Sequence, residues 1–445
     1  MTSTIAAIAT AGGVGSIAIV RLSGTSSLEI ARKVAPQADF VPRQTDLTSL
    51  FDVDGVLIDR AIVIYFQSPK SFTGEDVVEF QCHGGRVVAD EILSALTAHG
   101  ARLAEPGEFS KRAFLNGKID LSEAEAIAKL IEAKSVDAAR ILARQLKGGL
   151  GDFVSDVREK LLRALAHSEV MIDYAEDVPE DITDGLIAQL NDLVSQMERT
   201  VDSSLRRRGL IDGFRVAIIG KPNVGKSSLL NALLDYDRAI VSEIAGTTRD
   251  TIEEQVRIGS HIIRLIDTAG IRDSSDQIEQ IGVKRSLSSV EDADIVIALF
   301  DASQPFDDED ARIVELLHDA KDTEQIVVLN KIDLERAFDI ELIAHSSVLE
   351  MSANADVQPL IAWLTLSLDN MGKGDEVMLV SARQVEATKA CRNAAKAALK
   401  PLEQGELELF SYYLNDAVGH ISSITYPYEN EEILDKMFGE FCLGK

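Results

Sequence analysis

Cysteine is scarce. Cys82, Cys391 and Cys442 are the only three in 445 residues, and they lie far apart without metal-ligand spacing. That excludes a disulfide framework or a cysteine-built metal centre and fits a reducing cytosol. No run of about 18 apolar residues occurs, so no membrane-spanning helix is expected. The start, MTSTIAAIATAGGVGSIAIVRLSG, has no positive charge before its first apolar run. It reads as a strand and turn, not as a secretory signal. Internal repeats and low-complexity segments are missing too. Positive charge is short: 45 Lys and Arg stand against 73 Asp and Glu, a net charge of −28. Phosphate contacts need Lys and Arg, so any binding of nucleic acid must use a local basic patch. Arg206, Arg207 and Arg208 form one candidate, and Lys134, Arg140, Arg144 and Lys147 another. The simpler reading of both is a set of solvated helix faces.

Hydrophobic residues make up 46% of the chain, enough for a sizeable core in each of two to four domains. Residues 1–118 mix strands and helices. IAIVRL (17–22), AIVIYF (61–66) and VVEFQ (77–81) read as strands, and a helix should follow Gly84-Gly85. Residues 119–212 are poor in Gly and Pro and helical in period. Leu186, Leu190, Leu193, Met197, Val201 and Leu205 recur every three or four residues, and Ala124, Ile127, Leu130 and Ile131 begin an earlier helix. From Gly213 short apolar strands alternate with helices, the pattern of a parallel sheet, up to about residue 374. NMGKGDE (370–376) reads as an exposed connector, and residues 375–445 return to helical character, with segments near 406–421 and 430–441. The expected fold class is an α/β P-loop domain inserted into an all-α helical domain, preceded by an α+β domain. Periodicity does not establish that the two helical parts touch.

The strongest motif is Gly220-Lys221-Pro222-Asn223-Val224-Gly225-Lys226-Ser227, between the strand FRVAII (214–219) and a helix opening SSLLNALL (227–234). Its glycines let backbone N–H groups close around phosphates, aided by the helix N-terminus. Lys226 should reach the β- and γ-phosphates, and the Ser227 hydroxyl should ligate Mg²⁺, with Ser228 beside it. Asp267-Thr268-Ala269-Gly270 follows the strand HIIRLI (261–266), 40 residues beyond Ser227. Its carboxylate can hold Mg²⁺ through water, and the Gly270 amide can sense a γ-phosphate. IVVL (326–329) then runs into Asn330-Lys331-Ile332-Asp333. The Asp333 carboxylate can accept hydrogen bonds from N1 and the 2-amino group of guanine, a donor pair that adenine lacks. Ser352-Ala353-Asn354 is placed to give guanine O6 an amide. Between these motifs, Ser242, Glu243, Ile244, Ala245, Gly246, Thr247 and Thr248 form a loop able to fold over the γ-phosphate. Thr248 is the expected Mg²⁺ ligand, with Thr247 the alternative.

The set describes a GTP hydrolase, but one position is unusual. Ras-like enzymes place a water-orienting glutamine after Asp-Thr-Ala-Gly. Here Ile271 stands there and cannot hydrogen-bond. Glu279 is a substitute, although it reads equally as a solvated helix residue. Arg249 and Arg272 are nearby candidates for an arginine finger, but neither has a compelling geometry from sequence. A monovalent cation on the Asn223 side-chain carbonyl is the other option. One charge at about 4 Å is worth roughly 4 kcal/mol at an effective dielectric near 20.

Several stretches resemble one family over the full length: GGVGSIAIVRLSG (12–24), EDVVEFQCHGG (75–85), PGEFSKRAFLNGKIDLSEAEAI (106–127), AGTTRD (245–250) and FCLGK (441–445). The chain is similar to the MnmE (TrmE) family of tRNA uridine-modification GTPases, within the TrmE-Era-EngA type. The resemblance implies a tetrahydrofolate-binding, dimerising domain over 1–118, a helical domain over 119–212 and 375–445, and a G domain over 213–374. It implies K⁺ on Asn223, Ser242, Ile244 and Thr247, Mg²⁺ on Ser227 and Thr248, and Glu279 as the catalytic glutamate. A 5-formyl- or 5,10-methylene-tetrahydrofolate would contact Arg21, Glu79, Lys118 and Lys445, and Cys442 would be the functional C-terminal cysteine. It further implies a homodimer, an FAD-dependent partner, MnmG, in a heterotetramer, and tRNA as substrate in the cytoplasm. The product would be a carboxymethylaminomethyl or aminomethyl group at C5 of wobble uridine. Ser242 departs from a threonine common in the family but keeps the hydroxyl, and ATAGGVG lacks a proline often found there. Without the resemblance, Arg21, Glu79 and Lys118 read as surface salt-bridge residues and Cys442 as a buried helix cysteine. His83, next to Cys82, reads as packed or looped, because neighbours on a strand face opposite ways. The competing readings are a GTP-timed ribosome or RNA assembly factor without covalent RNA chemistry, and a membrane-associated switch, which the lack of an anchor disfavours.

Overall fold

The computed structural model describes residues 3–173, 181–240, 254–266, 290, 292–320, 323–343, 348–374, 377–426, 431–439, 441 and 444. The chain divides into two compact units. The first comprises Met1–Ile131, Gln145–Leu190 and Ala390–Lys445, and the second Glu132–Arg144 and Asn191–Lys389.

The first unit holds a six-stranded sheet of β1 (Ile5–Ile8), β2 (Ile17–Ser23), β3 (Thr45–Phe51), β4 (Leu57–Phe66), β5 (Val77–His83) and β6 (Arg102–Leu103). The order is β3-β4-β5-β2-β1-β6. All pairs are antiparallel except β1 with β6. Side chains alternate across a strand. Ala18, Val20 and Leu22 of β2, with Val78, Phe80 and Cys82 of β5, therefore enter the core with Ile30, Val34, Ile92 and Leu96 of helices Ser27–Val34 and Arg86–Ala98. The same alternation turns Arg21 and Glu79 to the other face, and the register makes them cross-strand partners.

Two helices from opposite sides of the inserted α/β stretch meet in this unit. Gly149–Asp173 packs against Leu407–Ser422, with the Ser168 and Ser411 hydroxyls 2.9 Å apart. Periodicity left that contact open. The helix Glu431–Gly439 brings Leu434 and Phe438 onto Leu121 and Ala124.

The second unit is built on β7 (Phe214–Ile219), β8 (Glu254–Ile258), β9 (His261–Ile266), β10 (Ile295–Asp301), β11 (Glu324–Asn330) and β12 (Val348–Glu350), in the order β12-β11-β10-β7-β9-β8. The pairs are parallel except β8 with β9. A parallel sheet covered on both faces needs strands apolar on both sides, and every residue of β10 is buried. Ile295, Ile297 and Leu299 join the helices Lys226–Ile240 and Gln358–Met371 in one core. Val296, Ala298 and Phe300 join the helix Asp308–Asp319 in another. The helix Gln358–Met371 runs into the expected connector, because Met371 still packs on the first of these cores. Ile141 of the helix Val136–Gln145 reaches that core too, and Lys134 and Asp137 bond to Gln255 (2.6 Å) and Ser260 (3.2 Å) of the β8–β9 hairpin.

Candidate nucleotide-binding site

The phosphate loop leaves the buried end of β7 and enters the helix Lys226–Ile240. Parallel packing against β10 brings Gly220 beside the Leu299 carbonyl, where a side chain would collide. Gly225, at φ +105°, faces the Asn330 amide so closely that a Cβ would overlap it. Only glycine allows both the backbone angle and the approach. Asn223 takes the left-handed region at φ 64°, which asparagine tolerates better than most residues.

Asn330, buried at the end of β11, joins three segments. Its Nδ2 donates to the Val224 carbonyl (2.8 Å), and its Oδ1 accepts from the Ala353 amide (2.8 Å). Lys331 donates to the Asn223 carbonyl (2.8 Å) and to Asp301 Oδ2 (2.6 Å). Burial pushes the Asp301 carboxyl up, but hydrogen bonds from Lys331 and Ser303 outweigh it and hold the group below the usual range. Lys226 donates to the carbonyls of Gly220 (2.6 Å) and Lys221 (2.8 Å). Burial lowers its ammonium pKa, against an opposing pull from Glu309. A neighbouring anion would oppose that lowering by favouring the charged form.

The phosphate loop, Asn330, Lys331 and Ala353 thus converge. Ser352 is buried with Ala353, whereas Asp333 and Asn354 are exposed. Ser227 and Ser228 open the helix, the first exposed and the second half-buried. Ser242, Glu243, Ile244, Ala245, Gly246, Thr247, Thr248, Asp267, Thr268, Ala269, Gly270, Glu279, Cys442 and Lys445 lie outside the described residues. Two features escaped the sequence reading. One is Asp301, the anchor for Lys331. The other is the contact of Lys221 Nζ with Asp307 (2.7 Å) and Asp310 (2.8 Å). Asp307 three residues before Asp310 carries a local signal as a capping box, but its pairing with Lys221 spans 86 residues.

In the first unit Arg21 Nε and Nη2 both meet Glu79 Oε1 at 2.8 Å, so this pair is the salt bridge its chemistry suggests. The guanidinium also lies 5.7 Å from the Phe72 and Phe109 ring centroids and 3.5 Å from the Gly444 carbonyl. Lys118 bonds instead to the Pro69 carbonyl (3.0 Å). Cys82 is buried and His83 is exposed on Asp59 (2.8 Å), facing apart as strand geometry requires. The basic run at 206–208 is not an open surface stripe: Arg207 is buried, and Arg208 pairs with Asp212 (2.8 Å). Arg207 falls in the turn that follows the helix Asp181–Arg206, and the turn carries it inward.

Residues 4–118 match a family model described as GTP-binding protein TrmE N-terminus, and residues 121–442 one described as MnmE helical domain. The tRNA modification GTPase MnmE of Sulfurovum sp. (strain NBC37-1) is 62% identical over 446 residues, covering 100% of this chain and 99% of its own. The protein of that name from a Nitratiruptor species is 58% identical, over 100% of this chain and 99% of its own. That of Aliarcobacter butzleri (strain RM4018) is 56% identical, over 99% of each chain.

Proposed function

The chain belongs to the family of the tRNA modification GTPase MnmE, and from that premise we propose that it hydrolyses GTP in the service of tRNA modification. The observation that carries the proposal is the convergence of Lys226, Asn330 and Ala353 on one phosphate loop. Water attacks the γ-phosphorus, the bond to the β-phosphate oxygen breaks, and GDP and phosphate leave. Lys226 neutralises charge on the β- and γ-oxygens, and Asp333 selects guanine. Glu279 takes the water-orienting role that Ile271 cannot fill. Mg²⁺, for which Ser227 and Thr248 are the protein ligands, supplies charge neutralisation when bound.

Asn223, Ser242, Ile244 and Thr247 would hold K⁺, which would supply a further positive charge. Lys331 engages the Asn223 main-chain carbonyl and leaves its exposed side chain to that role. Hydrolysis is expected to run at least about tenfold faster in K⁺ than in Na⁺, roughly 1.4 kcal/mol of barrier. Asn223→Ala should remove the difference; equal wild-type rates in the two salts would dismiss the cation. Glu279→Ala should cut turnover by roughly 10²–10⁴ and leave GTP binding nearly intact. Unaltered turnover would assign the water to another group.

On this proposal the domains run over 1–118, 119–212, 213–374 and 375–445. Arg21, Glu79, Lys118 and Lys445 would hold a tetrahydrofolate derivative, which would supply a one-carbon unit, and Cys442 would be the functional C-terminal cysteine. Arg21, poised between a carboxylate and two aromatic rings, suits a flat, polar-edged pterin. The homodimer acts with the FAD-dependent MnmG on wobble uridine C5 in the cytoplasm. Reconstitution with that partner, folate, GTP and tRNA, followed by mass analysis of nucleosides, tests the whole. Unmodified uridine beside active GTP hydrolysis would favour a GTP-timed assembly role.

A further inference from the structure

Lys221 occupies a variable position of the phosphate-loop pattern, and no role in hydrolysis has been given to it above. Its side chain is 11% exposed and meets Asp307 Oδ2 at 2.7 Å and Asp310 Oδ2 at 2.8 Å. Those two carboxylates form the capping box of the helix Asp308–Asp319. Asp307 Oδ1 accepts from the amides of Glu309 and Asp310 (3.0 Å each), and Asp310 Oδ2 accepts from the Asp307 amide (3.2 Å). Asp310 is fully buried, and its Oδ1 has no hydrogen-bond partner among the described residues. The Lys221 carbonyl, meanwhile, accepts from Lys226 Nζ at 2.8 Å. One residue therefore joins an acidic helix start to the phosphate-binding ammonium.

Burial disfavours the Lys221 ammonium, but its bonds to Asp307 and Asp310 outweigh that and raise its pKa. Asp307 is held low, chiefly by Lys221. Glu309, on the first turn of the same helix, opposes the lowering of the Lys226 pKa by burial. Two uncompensated carboxylates there would repel a polyphosphate.

We propose that Lys221 is a positioning residue for nucleotide binding: it neutralises the Asp307–Asp310 pair beside the phosphate loop, so that those carboxylates do not oppose the bound phosphates. This rests on the GTPase reading above and adds a residue to it.

Full-length protein titrated with fluorescent GDP in Mg²⁺ provides the test, with melting curves to check folding. Lys221→Met is expected to weaken GDP binding by about tenfold or more. Lys221→Arg keeps the charge and should bind GDP nearly as well as wild type. The triple variant Lys221→Met, Asp307→Asn, Asp310→Asn removes both the cation and the carboxylates. Asparagine still caps a helix, so this variant should recover most of the lost affinity, which a merely structural lysine would not allow. Lys221→Met binding like wild type would overturn the proposal, as would a folded triple variant no better than Lys221→Met. If Lys221→Met fails to fold, the triple variant decides alone: near wild-type affinity supports the proposal, and weak affinity overturns it. A wild-type protein that bound no GDP would instead defeat the GTPase reading.

Discussion

Asp333→Asn is expected to turn a guanine site into a xanthine site. The carboxylate stands exposed beyond β11, in a turn held by the Leu334 amide on the Lys331 carbonyl (3.0 Å) and by the buried Asn330. Guanine presents two donors, N1–H and the 2-amino group, and a carboxylate accepts both. Asparagine sets a donor against the 2-amino group, whereas the xanthine carbonyl at that position accepts it. Sites matched to a hydrogen-bonding group reject the mismatched analogue by up to roughly 10⁴–10⁵. The kcat/KM for GTP should therefore fall by about 10³ or more, and that for XTP should rise to exceed it. An exposed substitution of this kind changes stability by only about 0.5 kcal/mol, so melting curves should barely move. Steady-state kinetics with GTP, XTP and ATP measure the effect. GTP turnover persisting within a few-fold would remove Asp333 from base recognition.

The second large effect is expected from Lys226→Ala. The ammonium lies on the Gly220 and Lys221 carbonyls, at 2.6 and 2.8 Å, at the start of its helix. On the proposed role its loss would leave the developing charge on the β- and γ-oxygens without that fixed cation. Removing one such preorganised donor typically costs about 10²–10³ in kcat, and GDP affinity should fall as well, since the ground state is also an anion. Lys226→Arg should not restore the rate, because a planar guanidinium cannot fit the space between two loop carbonyls that a compact ammonium fills. Single-turnover hydrolysis with enzyme in excess separates the chemical step from binding. A variant within tenfold of wild type would take Lys226 out of catalysis.

These two residues were legible because their signals are local. Gly220, Gly225, Lys226 and Ser227 form one continuous segment after an apolar strand, and Asn330 to Asp333 another. The strands at 17–22, 61–66, 77–81, 214–219 and 261–266 were legible for a similar reason, since apolar runs and alternation fit a pleated ribbon packed on its core. A run of three arginines reads as solvated, yet Arg207 is buried, because the turn after the helix Asp181–Arg206 carries it inward.

What the chain reveals unaided is confined to a few consecutive residues: a phosphate loop after an apolar strand, the Asn330–Asp333 segment, and the alternation or helical period of each stretch. What emerges only on folding is which distant residues share a charge or a core. The join of Lys221 to Asp307 and Asp310, the pairing of Lys331 with Asp301, and the meeting of helices Gly149–Asp173 and Leu407–Ser422 belong to that second kind. The cause is physical: backbone geometry and side-chain periodicity act over a few residues, whereas burial makes an ion pair or an interhelical contact between groups whose separation in sequence carries no trace of their approach in space.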